Sequence, residues 1–162
     1  MTQLLVWIQL FMVLMPTLWL VLGALENIRA PAANGNMVAD VLAMRLMRDQ
    51  FPELYAVLGR NRIESQRLHR LLFAAIVTAE TIVALVMVAG TLALLLAALG
   101  LVGLEPARVL AAIGMLGFCM IWSAFLVGGQ WVHYWAGAEG AQHTHLKLTL
   151  WGALVLVLLY IG

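Results

Sequence analysis

The chain has 162 residues, 64% of them hydrophobic and only 10% charged, with a formal net charge of +1. Soluble domains are only about half apolar, so this chain has too little polar surface to cover a water-soluble globule, and lipid must be its solvent. The near-neutral balance, without an aromatic-interleaved basic patch, excludes a nucleic-acid partner. One cysteine, Cys119, excludes an intrachain disulfide and any CxxC metal knuckle, and its apolar surroundings make it a small buried residue.

By length, residues 1–162 form a single integral membrane domain. The first apolar stretch, residues 4–25, lacks a basic leader and outruns a signal peptide's apolar core. It has the roughly 20 residues that cross a hydrocarbon core, and it reads as a retained transmembrane helix. Trp7 and Trp19 sit toward its ends as interfacial aromatics do, and Pro16 should kink it. Residues 29–36 read as irregular chain, with Pro31 and the turn-forming Asn34-Gly35-Asn36. Asn36 then caps an amphipathic helix over residues 37–50, with Asp40, Arg45, Arg48 and Asp49 on one half and Leu42, Leu46 and Met47 on the other. Too short to span, it is expected in the membrane interface or against the other helices. Pro52 stops it, and Gly59 ends a further turn.

Asn61-Arg62-Ile63-Glu64 has the form of a capping box for a helix that runs to about Leu99. About 38 residues at 1.5 Å each make roughly 57 Å, nearly twice the hydrocarbon thickness. The transmembrane part is residues 68–99, and the turns carrying Arg67, His69 and Arg70 project or tilt. A reversal from Gly100 to Pro106 leads to a third helix over residues 107–135, and a Gly/Ala loop leads to a fourth over 142–160. The fold class is therefore all-α, a four-helix transmembrane bundle with an interfacial amphipathic helix between helices one and two. Both termini and the short reversal fall on one side. The other side, the loop side, carries all four histidines and every basic residue except Arg108. The positive-inside rule would make it cytoplasmic.

Glu80 stands out, because a carboxylate inside a transmembrane helix is costly unless it faces protein, water or a partner. His69 lies three turns earlier on nearly the same face. The pair serves either as a proton path or quinol-type site, or as a structural hydrogen bond to another helix or to the local Thr78 or Thr81. A bis-histidine haem b would need His69 and His133 facing one cavity. His143-Thr144-His145 points its imidazoles about 200° apart on a helix, which fits interfacial histidines better than chelation. No metal site is expected. Trp131 and Trp135, spaced i, i+4, stack on one face either as a cofactor shelf or as anchors. Gly128 and Gly129, like Gly114 and Gly117, permit close helix approach.

Three patches carry a resemblance. They are Glu26-Asn27-Ile28 with Val38, Val41, Leu42 and Met44; Leu68-His69 with Ala79-Glu80; and Gly128-Gly129-Gln130-Trp131 with Trp135. Together with the helix order they resemble the bacterial small integral membrane proteins of domain of unknown function 2165. The chain departs from that pattern at Gln130, where the family usually has an acid, and at Ala136-Gly137, where it has Gln-Ser. The family's often basic reversal between helices two and three would put the loop side outside the cytoplasm, against the charge rule. The resemblance implies no known reaction.

Almost no intramembrane charge makes a channel or transporter a poor fit. The expected function is a non-catalytic accessory subunit of a larger bacterial membrane complex, respiratory or photosynthetic. It would lie in the bacterial inner membrane, in contact with lipid and other integral membrane subunits, and would pack through Gly128, Gly129, Trp131 and Trp135. The alternative is a small redox protein that handles quinone or haem b through His69, Glu80, His133 and Trp131.

Overall fold

A seam of buried residues recurs every three or four positions along each long helix, and these seams decide the architecture. The computed structural model describes residues 3–161. It comprises α1 (Gln3–Arg29), α2 (Pro31–Leu42), α3 (Arg45–Gln50), α4 (Pro52–Leu58), a 3₁₀ turn at Gly59–Asn61, α5 (Gln66–Ala98), α6 (Leu104–Trp131) and α7 (Glu139–Tyr160), with no strand among the described residues. α1, α5, α6 and α7 are long and apolar enough to cross a membrane.

On α1 the seam is Val6, Leu10, Val13, Thr17, Leu20, Ala24 and Asn27. On α5 it is Glu80, Ala84, Met87, Thr91, Leu94 and Ala98; on α6, Ala107, Ala111, Met115, Phe118 and Trp122; on α7, Leu148, Gly152, Val155 and Leu159. α5 packs between α1 and α6, α7 packs on α6, and α1 closes the bundle against α7. Side-chain pairs fix the direction of α1 against α5. Gln3 Nε2 donates to the Ala98 carbonyl at 2.6 Å, the Thr17 and Thr91 hydroxyls stand 3.0 Å apart, and Asn27 meets Glu80.

Because lipid tails are as apolar as the seams, burial alone does not hold these helices together; close van der Waals packing does. Small residues set that closeness. A Cβ on Gly90 would stand 2.7 Å from Ala111 Cα, and one on Gly114 3.0 Å from Met87 Cα. One on Gly152 would meet Phe118 Cδ1 at 2.9 Å. The approach expected at Gly114 and Gly117 is thus made against α5, where Gly117 meets Val83.

Several local expectations are overturned. Residues 31–36 are helical, because Pro31 occupies the first turn of α2, where its missing N–H costs nothing. Ala30 supplies the break, at φ −132° and ψ 61°, so Asn36 caps nothing. The helix expected over residues 37–50 is two helices, divided at Met44, whose φ is 54°. Neither stands free: Gly35 of α2 packs on the Phe73 ring, Ile63 N–H donates to the Leu42 carbonyl at 2.8 Å, and Met47 of α3 packs with Val132 and Tyr134. α2 therefore runs antiparallel along the projecting start of α5.

Ser65 caps α5, accepting from Leu68 N–H at 3.4 Å. The Asn61 capping box fails because Arg62 is extended, at φ −61° and ψ 144°, which takes Asn61 out of the helix. Glu64 pairs with Arg62 at 2.6 Å instead of reaching back to the cap. The third span ends at Trp131 rather than 135, because His133 takes φ 50° and Gly137 φ 97°.

Candidate functional site

The polar residues of the inner seams are mostly paired with one another. Glu80 is 5% exposed, and its Oε2 accepts from Asn27 Nδ2 at 2.7 Å. Asn27 Oδ1 in turn accepts from Asn34 Nδ2 at 2.6 Å. A short relay thus links the middle of α5, the end of α1 and the first turn of α2. Thr78 and Thr81 are not Glu80's partners, since their hydroxyls donate to the Ala74 and Val77 carbonyls one turn back on α5.

His69 is buried, and its Nε2 donates to the Ile63 carbonyl at 2.6 Å. It lines a groove of about 350 Å³ between α2, Arg45 and the first turns of α5, together with Gln66, Arg70 and Phe73. Neither Glu80 nor His133 lines that groove. His133 sits in the turn after α6, with Asn61 Nδ2 3.3 Å from its Nε2 and the Trp135 ring edge-on at 6.1 Å. Asn61 also donates to the Trp131 carbonyl at 2.9 Å. Trp131 itself is 62% exposed on the outer face of the bundle. Of the residues of the redox alternative, His133 and the Trp131 carbonyl meet at Asn61, while His69 lines the groove and Glu80 is bound to Asn27.

The stack expected of Trp131 and Trp135 requires both on one helix, and Trp135 lies beyond the end of α6. Gly129 is buried under the ring of Tyr134, three residues beyond the end of α6 at Trp131, rather than under a neighbouring helix. Gly128 faces open space, with nothing within 4 Å of an added Cβ.

The structure also assembles a group that the sequence reading passed over. His145 stacks on Phe125 at 4.8 Å, on Trp122 at 5.6 Å and on Tyr134 at 6.0 Å between ring centroids. Trp122 Nε1, Tyr134 Oη and His145 Nδ1 are the buried side-chain polar atoms without a hydrogen-bond partner among the described residues. All three belong to this one cluster. Burial raises the Tyr134 phenol above its ordinary range. The signal was present in the sequence: His145 precedes Leu148 by three positions and so continues the seam Leu148, Gly152, Val155, Leu159.

No group of three or more His, Cys, Asp or Glu side chains among the described residues is placed to hold a metal ion. No curated protein and no solved structure matches the chain. The predicted small integral membrane proteins of domain of unknown function 2165 match it over residues 5–161. With four helices able to cross a membrane inside that match, the chain belongs to this family of integral membrane proteins.

Proposed function

We propose that the protein is a non-catalytic accessory subunit of a bacterial inner-membrane complex, and that it docks a transmembrane helix of another subunit on the outer face of α6. The observation that carries this reading is Gly128. Inside the bundle, glycines on α6 are spent where α5 comes closest, at Gly114 and Gly117. Gly128 offers the same bare backbone to the outside, between Val127 at 74% exposure and Trp131 at 62%. In a membrane, small residues on a helix surface mark where another helix can approach, because packing rather than burial drives association. Lipid gains nothing from a glycine there; a partner helix does.

Gly128→Leu should leave the bundle intact, since the added side chain enters open space. Tagged protein purified in mild detergent should bring a defined integral membrane subunit, identified by mass spectrometry, and Gly128→Leu should lose it with an unchanged melting temperature. Wild-type protein that purifies alone as a monomer would sink the reading, and a variant that keeps its partner would move the interface elsewhere.

A further inference from the structure

We propose that the groove between α2 and the first turns of α5 is a phosphate site, placed to hold the phosphate of an anionic lipid headgroup or free phosphate. Two arginines, Arg45 and Arg70, line it, beside Gln66 and the buried His69. Arg45 is held in place by Asp40 at 2.6 Å, which also balances its charge. Arg70 is exposed and makes no hydrogen bond or ion pair with any described residue. The uncompensated cation of the groove is therefore Arg70. His69 spends Nε2–H on the Ile63 carbonyl, so it fixes the wall and adds no second donor from that atom. A guanidinium presents several N–H donors in one plane, which matches phosphate oxygens in pairs.

The position along the membrane points to the same ligand. Gly114 faces Met87 and Gly117 faces Val83, which sets the antiparallel register of α6 against α5. Carried along both helices at equal rise, that register puts Trp131 level with His69 and Arg70. Trp131 is 62% exposed, and exposed tryptophans at helix ends mark the headgroup layer. Arg70 thus stands at the depth of lipid phosphates. Phe73 also lines the groove, about one turn further along α5 than Arg70. An aromatic ring beneath a cation suits a group that is charged above and greasy below. The start of α5, a helix of 33 residues, adds the positive end of its dipole to the two arginines.

The test uses the full chain in nanodiscs of phosphatidylcholine, with and without phosphatidylglycerol, and in phosphatidylcholine with added inorganic phosphate. Native mass spectrometry and thermal melts read retention of ligand and the shift it produces. Arg70→Ala should weaken phosphatidylglycerol retention by about ten-fold or more, the loss expected for one charge-assisted contact. Arg70→Lys should recover part of it. Arg67→Ala, an exposed arginine on the same turn that does not line the groove, should change nothing. An Arg70-dependent shift with phosphatidylglycerol alone supports the site with lipid as occupant. The same shift with inorganic phosphate supports it with free phosphate as occupant. No shift with either, or an equal shift in wild type and Arg70→Ala, overturns the proposal.

Discussion

Gly90 is the position at which one methyl group decides how close α5 and α6 can come. A Cβ there would lie 2.7 Å from the Cα and 2.9 Å from the backbone nitrogen of Ala111, and backbone cannot swing aside as a side chain can. Gly90→Ala should therefore destabilise the bundle by about 1–3 kcal/mol, the usual penalty for overpacking a well-filled core. Gly23→Ala, where nothing stands within 4 Å, serves as the control and should melt with wild type. Thermal unfolding in detergent reads the difference, and equal melting of both variants would show that the contact is looser than described. Residue identity made part of this legible. Gly114 and Gly117 announce a small-residue seam, and Glu80 announces a buried partner. That the partner is Asn27, fifty-three positions away, follows only from the pairing of α1 with α5. No spacing within α5 encodes it.

Both unforeseen helix breaks fall at residues other than glycine, and they share one cause. Met44 and His133 take positive φ, a conformation that costs an ordinary residue free energy unless its surroundings enforce it. Here the surroundings are a small apolar cluster, in which Met44 and Met47 pack with Val132, Tyr134 and Ala136. Each break exists because the other supplies its contacts, so neither sequence segment signals it alone. Val132 to Trp135 still reads as a continuing apolar-aromatic helix, and only the partner segment ends it. Tyr134 reports on this cluster. Burial lifts its phenol above the ordinary range, so both folded and unfolded chains hold the proton below a pH of about 10. Above that value the unfolded chain releases the proton first, and stability falls as pH rises toward the folded value. Melting temperature followed from about pH 8 to about pH 11 should decline, and Tyr134→Phe should flatten the part of the decline that begins near the phenol's ordinary value of about 10. An identical decline in wild type and variant would mean that Tyr134 does not titrate against folding.

At the scale of the whole molecule, the four spans were legible because each carries an apolar run long enough to cross a bilayer, and only lipid can accommodate four of them. The cladding of the projecting start of α5 by α2, and the packing of α3 and α4 on the turn after α6, were not legible, since they depend on which face meets which. The direction of each span does follow from the structure. Gln9 Nε2 donates to the Leu158 carbonyl at 2.9 Å, and Arg108 Nε donates to Gln9 Oε1 at 3.2 Å. The first turns of α1 and α6 therefore meet the last turn of α7, while the α2–α4 segment lies beyond the other ends. If each of the four helices crosses once, Asp49 and Leu101 must open to opposite sides of the membrane. Both are exposed, with the Asp49 side chain at 63% and Leu101 at 67%. Single cysteines placed at these positions, in a chain carrying Cys119→Ala, should react with a membrane-impermeant maleimide from opposite faces of sealed vesicles. Labelling of both from the same face would leave an even number of crossings between them, so that α5 either does not cross or crosses twice, and the four-span arrangement would have to be redrawn.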